Sequence, residues 1–506
     1  MNLVELADQS YQKYGEHTKI LYNDVEYTNL ELIRSANKLA NALIHLGIKA
    51  GDRVVVMLIN SPDVLVSYQG ILRAGGVVIP VAFLLGTTEI EHILRNSEAR
   101  AIITSSAFVE KIKLASNEIT TLEHVIIVDD QDLPGTIKYS ELLAQGTEDR
   151  PNLEIKEDDL AVILYTAGTT GPPKGVMLTH KNLYSNIESA MEIQEINPEE
   201  IQLHVLPLSH SYGLAVMNAG WLMMNKSVLM PWFNVEEASK AIEKYKITGF
   251  AGVPAMFAML LNSPVVDNYD LSSLKNCESG SAPLSIEVMK AFEEKYDCVI
   301  SEGYGLSEAS PVISSTYPQR EHRPGSVGQA IPNVEVKIVD EKGNEVETGE
   351  LGELIARGPN ISPGYYKLPD ITAETFRDGW LYTGDMARMD EDGYIYLVDR
   401  KKNLIIRGGF NISPRDIDEV LLEHPAIIET TVIGVPDPIL GEEIKAYVVV
   451  KEGEQLTEEE VIAHCQKHLA IYQTPRYIEF TQRLPRSPIG KIMRKELREL
   501  HAKTKE

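Results

Sequence analysis

The first third of the chain alternates short, continuous apolar runs with longer amphipathic stretches. The runs at 54–59, 77–79, 101–104 and 125–128 are too short for buried helices and read as buried strands. Helix signals stand between them. Thr28 with Glu31 forms a capping box ahead of a periodic stretch ending near Gly47. Ser61 and Pro62 read as the N-cap and first residue of a second helix, and 87–96 as a third. Buried strands that alternate with helices predict βαβ units and a largely parallel sheet.

The apolar run 160–164 predicts another buried strand, and a helix-like segment begins near Thr179. Between them lies a loop. The strand–helix texture resumes with a strand at 203–206 and a helix at 235–246. From about residue 334 the pattern changes to short alternating strands at 334–339 and 352–357, with a turn at 340–343. This predicts a β subdomain over roughly 330–399. A polar, basic run, Asp399-Arg400-Lys401-Lys402-Asn403, then follows the apolar stretch 394–398, and the main boundary is placed there. Beyond it the pattern predicts a helix from Pro414, strands at 430–435 and 445–450, a capped helix from Thr457 and a basic helix after Gly490. The expected fold is α/β: a large N-terminal domain (1–399) of mixed, parallel-rich sheets with a β subdomain, and a small α+β C-terminal domain (403–506).

Composition narrows the function. At 506 residues the chain exceeds what one core usually supports, so at least two domains are expected. A formal net charge of −26 argues against a nucleic-acid binder, while leaving room for a locally basic anion site. Three widely separated cysteines suit a reducing, cytoplasmic setting. The first residues carry no signal-peptide pattern, and no apolar run approaches the about 20 residues that span a bilayer. Peripheral membrane contact and homodimer formation stay open.

The loop Tyr165-Thr166-Ala167-Gly168-Thr169-Thr170-Gly171-Pro172-Pro173-Lys174-Gly175 holds three glycines, three threonines and two prolines beside one lysine. Glycines admit close approach of backbone amides to an anion, hydroxyls add donors, and lysine adds mobile positive charge. That is the chemistry of a polyphosphate cradle, though the usual P-loop spacing does not fit it. Read alone, the loop has a flexible surface connection as its alternative. Elsewhere, a tyrosine between glycines, Gly303-Tyr304-Gly305, can face a flat ring, and Glu308 is a hard oxygen donor of a kind that suits Mg²⁺ but by itself reads more often as a solvated surface carboxylate.

Taken in order, these stretches resemble the adenylate-forming superfamily of acyl-CoA synthetases, luciferases and peptide-synthetase adenylation domains. The wording is most similar to fatty acyl-CoA and 4-coumarate-CoA ligases. The resemblance implies that Thr166, Gly168, Thr169, Thr170, Gly171 and Lys174 wrap the ATP phosphates, with Ala167 standing where the family usually has Ser. It implies that Gly280, Ser281 and Ala282, with Gly303, Tyr304, Gly305 and Ser307, face adenine, and that Glu308 and Thr170 hold Mg²⁺. Asp385 and Arg400 match the ribose-binding positions, and Lys402 the hinge. His210, Ser211, Tyr212, Gly213, Gly280, Gly303 and Pro311 fall on the acyl pocket; Gly408, Gly409 and Asn411 fall on the loop used in thioester formation. Lys491, in Pro485-Arg486-Ser487-Pro488-Ile489-Gly490-Lys491, matches the lysine that reaches the α-phosphate during adenylation. The implied activity joins a hydrophobic carboxylic acid to CoA through acyl-AMP, with ATP and CoA as substrates and a C-terminal lid that rotates between steps. A ligase loading a carrier protein, an aryl-specific ligase, and a silent acyl or nucleotide sensor on the same fold are the alternatives.

Overall fold

The computed structural model describes residues 1–166, 172–194, 197–451, 453–486 and 492–504. Two large sheets dominate the N-terminal part. The first has eight strands and runs, edge to edge, through Gly364–Tyr365, Lys174–Thr179, Leu160–Thr166, Val77–Pro80, Arg53–Met57, Ala101–Thr104, His124–Ile127 and Ile137–Lys138. It is parallel except at the edge formed by Lys174–Thr179 and Gly364–Tyr365. The second has nine strands. Its middle, from Val299–Gly305 to Thr18–Tyr22, is parallel, and both of its edges are antiparallel.

Adjacent residues of one strand serve opposite faces, as a period of two requires. Val54 and Val56 join a core shared with the helices Asn29–His45, Pro62–Arg73, His180–Glu192 and Ser211–Leu222. Val55 and Met57 face the other way, onto the helices Thr87–Ser97 and Val109–Ser116. The second sheet likewise packs its far face, including Phe250, Cys277 and Ile300, on the helices Val235–Tyr245 and Ile286–Tyr296. Strands buried on both faces explain the continuous apolar runs in the sequence.

Two local expectations change. The loop at 165–175 does not lead directly to a helix: Lys174–Thr179 is a strand that pairs antiparallel with Leu160–Thr166, and the helix His180–Glu192 starts only after it. Val176 and Leu178 fill one face of this strand, but a Gly- and Pro-rich approach hides so short a run. Ser61 sits at the N-cap of Pro62–Arg73 without a side-chain capping bond, so Pro62 alone sets that start. The boxes at Thr28 with Glu31 and Thr457 with Glu460 both form.

A five-stranded antiparallel sheet follows, built from Glu335–Val339, Gly352–Arg357, Phe376–Arg377, Trp380–Met389 and Ile395–Arg400. The last sheet also has five strands, all beyond residue 404. Its two faces pack on the helices Pro414–Leu422 and Glu458–His468, and on Arg494–Thr504. The three cysteines are buried and form no disulfide. No helix among the described residues is long and apolar enough to cross a membrane.

Candidate active site

The strands Leu160–Thr166 and Lys174–Thr179, which pair antiparallel, flank the loop at 165–175. Thr166 and Lys174 face each other at its base, and the Thr166 hydroxyl donates to the Lys174 carbonyl at 3.5 Å. Ala167, Gly168, Thr169, Thr170 and Gly171 lie outside the described residues. Lys174 Nζ stands 5.5 Å from the centroid of the Tyr365 ring, a cation–π approach. Tyr365 gets there because Gly364–Tyr365 adds to this strand pair as an edge strand, pairing Tyr365 with Val176. Its hydroxyl donates to Glu308 Oε1 at 2.7 Å, and the Glu308 carbonyl accepts from Ser362 N at 2.8 Å. Burial, then the Glu308 charge, pushes the Tyr365 phenol upward, so it remains a donor. Lys174 and the candidate metal-binding carboxylate are therefore tied together through one tyrosine.

A second cluster surrounds Asp385. This buried carboxylate accepts from the Tyr304 hydroxyl at Oδ2, 2.7 Å, and pairs with Arg400 Nε at Oδ1, 2.9 Å. The arrangement is set by register, because Asp385 and Arg400 are opposite residues of adjacent antiparallel strands. Gly384 takes a φ of +72°, which turns the chain so that Asp385 N donates to the Thr383 hydroxyl. Burial and then the Asp385 charge hold the Tyr304 phenol well above its ordinary range. Arg400 is raised chiefly by Asp385, with Tyr304 and Glu308 contributing, so its guanidinium links the two clusters electrostatically. Thr383, Gly384, Arg400, Lys401 and Lys402 line a cleft of about 290 Å³.

The candidate acyl residues gather at the carboxyl ends of neighbouring parallel strands, where ligands of open α/β sheets bind. His210 caps the helix Ser211–Leu222, accepting from Tyr212 N at Nδ1, 3.3 Å, which places Ser211 and Tyr212 in the first turn. Gly213 is required: a Cβ there would lie 2.2 Å from the Pro207 carbonyl oxygen. The Tyr212 ring lies against Gly280, where a Cβ would come within 3.0 Å of Cε1. A Cβ on Gly303 would stand 3.6 Å from Glu278 Oε1. Gly305 admits no side chain because its Cβ would meet the Pro311 carbonyl oxygen at 2.0 Å. Ser281 adopts a φ of +70°, and Ser307 is buried in the turn before Glu308. Ala282 follows in the same bend.

Glu278 and Tyr365 are additions that sequence reasoning missed. Burial lifts the Glu278 carboxyl above its usual range, with the Tyr212 hydroxyl opposing. Neither residue belongs to a motif. Their only sequence signals are a lone charge just before the Ser279-Gly280-Ser281 bend and a Tyr-Tyr pair after Gly364.

The junction at 399–403 is held from both sides. Asp399 accepts from Arg400 N at 2.6 Å and from Asn403 Nδ2 at 2.9 Å, and pairs with Arg494 at 3.1 Å. Arg494 also pairs with the buried carboxyl of Asp418 at 2.8 Å. Arg415 donates to the Leu397 carbonyl at 2.7 Å. Lys402 lies in the single 3₁₀ turn Lys401–Asn403. Gly408 and Gly409, with φ of +58° and +87°, make the turn between Ile405–Arg407 and Phe410–Ile412, and Asn411 lies on the second strand. The Asn411 side chain and Lys491 lie outside the described residues.

Known proteins are similar to this chain over nearly all of its length. The profile of the AMP-binding enzyme family matches residues 7–366, and that of the AMP-binding enzyme C-terminal domain matches 416–491. A long-chain-fatty-acid–CoA ligase of Bacillus subtilis is 39% identical, over 98% of this chain and 94% of the relative. A 4-coumarate:CoA ligase of Petunia hybrida is 34% identical, over 94% and 89%. The crystal structure of the anthranilate CoA ligase AuaEII with anthranoyl-AMP superposes with a TM-score of 0.95 at 27% identity, covering 100% of this chain and 98% of that one.

Proposed function

The chain belongs to the AMP-binding enzyme family, and from that premise we propose an ATP-dependent carboxylate–CoA ligase that activates a hydrophobic acid. It is an acid–thiol ligase: the acid attacks the α-phosphate of ATP, pyrophosphate leaves, and the CoA thiol then displaces AMP from the acyl-adenylate. The observation that carries the reading is the placement of Arg400. It pairs with Asp385 at 2.9 Å and lies within electrostatic reach of Glu308, which supports a reading in which ribose and phosphates are bound around one charged centre.

In this reading Asp385 accepts from the ribose hydroxyls, each oxygen keeping a lone pair beside Tyr304 and Arg400. Gly280, Ser281, Ala282, Gly303, Gly305 and Ser307 give adenine a small-residue approach. Lys174 follows the outer phosphates with Thr166, Gly168, Thr169, Thr170 and Gly171. Mg²⁺ enters with ATP as part of the substrate, and the hard oxygens of Glu308 suit it. Lys491 brings positive charge to the α-phosphate, where two anions must meet. The Tyr212 face, with His210, Ser211, Gly213 and Pro311, forms the acyl wall. Residues 1–399 and 403–506 act as body and lid about a hinge at 400–402, with Lys402 at the pivot and Gly408, Gly409 and Asn411 serving the thioester step. The setting is cytoplasmic.

The test is AMP and acyl-CoA formation across a panel of alkyl and aryl acids, offered with CoA or with a carrier protein. One AMP per thioester is expected, with CoA preferred. A thioester formed only on the carrier would move the assignment to a carrier-loading ligase. No AMP with any acid would favour the silent sensor.

A further inference from the structure

In the C-terminal sheet unit, two helices end at the same place. Pro414–Leu422 runs out at Glu423, and Glu458–His468 ends on His468. Both negative helix ends therefore face this point, which favours a cation. His464 and His468 are four residues apart and lie on one face of their helix. Glu423, His464 and His468 each offer a ligand atom, and these atoms lie within 4.8 Å of one another; His468 Nδ1 is 3.8 Å from Glu423 Oε2. Glu423 and His468 are exposed and His464 is partly buried, so the cluster is open to solvent.

The tautomers sort ligands from packing groups. His464 Nε2 lies 2.8 Å from the Val420 carbonyl oxygen, which can only accept. Nε2 therefore carries the proton and Nδ1 the lone pair of the neutral ring. A ring nitrogen donating to a backbone carbonyl is how a metal-binding histidine is usually oriented. His424 is different. Its Nδ1 accepts from Ala426 N at 3.3 Å, so its Nε2 is the protonated nitrogen. It packs edge-on against His464, with ring centroids 5.1 Å apart, and walls the site without serving it.

We propose that Glu423, His464 and His468 bind one divalent transition metal ion. Two imidazoles and a carboxylate, with a position left for water, suit Zn²⁺ and its first-row neighbours and are too nitrogen-rich for Mg²⁺. The three donor atoms, within 4.8 Å of one another, would close around the ion by side-chain rotation. The ion would tie the ends of two helices that pack on one face of the last sheet, a site distinct from the nucleotide cluster around Arg400.

Zinc chloride titrated into the full-length, untagged protein, followed by calorimetry, tests this. The expected result is one Zn²⁺ per chain. His468→Ala and Glu423→Gln should each weaken binding by at least the about tenfold that loss of an outer partner costs. Both side chains are exposed, so the variants should keep the parent's circular dichroism and its AMP formation without zinc. Co²⁺ in place of zinc should give visible bands without a thiolate charge-transfer band. Absence of Zn²⁺ binding would overturn the proposal. So would stoichiometric Zn²⁺ retained by His464→Gln/His468→Gln, or a thiolate band.

Discussion

Asp385 has both carboxylate oxygens in use, one taking the Tyr304 hydroxyl and the other Arg400. Hydrogen bonds to charged groups are worth about 1.5–3 kcal/mol each. Asp385→Asn should therefore raise the KM for ATP about 10–100-fold, as initial rates at saturating acid and CoA would measure. Glu278 makes a different claim. Its carboxyl sits beside Gly303 and Tyr212 with its pKa lifted by burial, where a wholly apolar pocket would place a hydrocarbon side chain. Glu278→Leu should raise kcat/KM for plain alkyl acids and lower it for acids bearing a hydroxyl or amine. An unchanged ranking across the panel would remove Glu278 from the acyl wall. Asp385 was legible in the sequence because it stands in a recognisable run, Trp380 to Asp385. Glu278 and Tyr365 were not, because a single side chain acquires its role only from neighbours brought in by the fold.

At the scale of elements, the motif around His210 has a steric explanation. His210 N donates to the Pro207 carbonyl at 3.0 Å, His210 then caps the helix, and Gly213 passes that same carbonyl with no room for a Cβ. Gly213→Ala must displace backbone, an overpacking that costs about 1–3 kcal/mol. The variant should melt lower and show a raised KM for the acid, with the KM for ATP little changed. Helix starts were the most legible elements, since Thr28 with Glu31 and Thr457 with Glu460 carry their capping chemistry locally. The strand Lys174–Thr179 was not. Its place is set by pairing with Leu160–Thr166 and Gly364–Tyr365, the latter nearly two hundred positions away along the chain.

Across the whole molecule, one buried carboxyl stands where the last sheet unit meets the body. Glu302 lies buried on the strand Val299–Gly305, and no hydrogen-bond partner for its Oε2 is found among the described residues. It faces Arg415 and Glu419 of the helix Pro414–Leu422, and burial pushes its carboxyl from 4.5 to about 7. The sign follows from proton counts. Between these values the folded protein holds a proton that the unfolded chain has lost, so this residue's contribution to stability falls as pH rises from about 4.5 to about 7. Glu302→Gln should match the parent near pH 4 and melt higher above pH 7, in thermal scans across that range. The parallel-rich body and the later β and α+β textures were legible from periodicity alone. The stacking of two sheets about shared helices was not, because a run buried on both faces does not say which helix covers which face.

The central claim concerns division of labour between the nucleotide cluster and the tail beyond the junction. Lys491→Ala, assayed separately for the two half-reactions, tests it most directly. The expected outcome is loss of acid-dependent pyrophosphate–ATP exchange, while acyl-CoA formation from supplied acyl-AMP continues near the parent rate. An equal fall in both half-reactions, or exchange left intact, would contradict it.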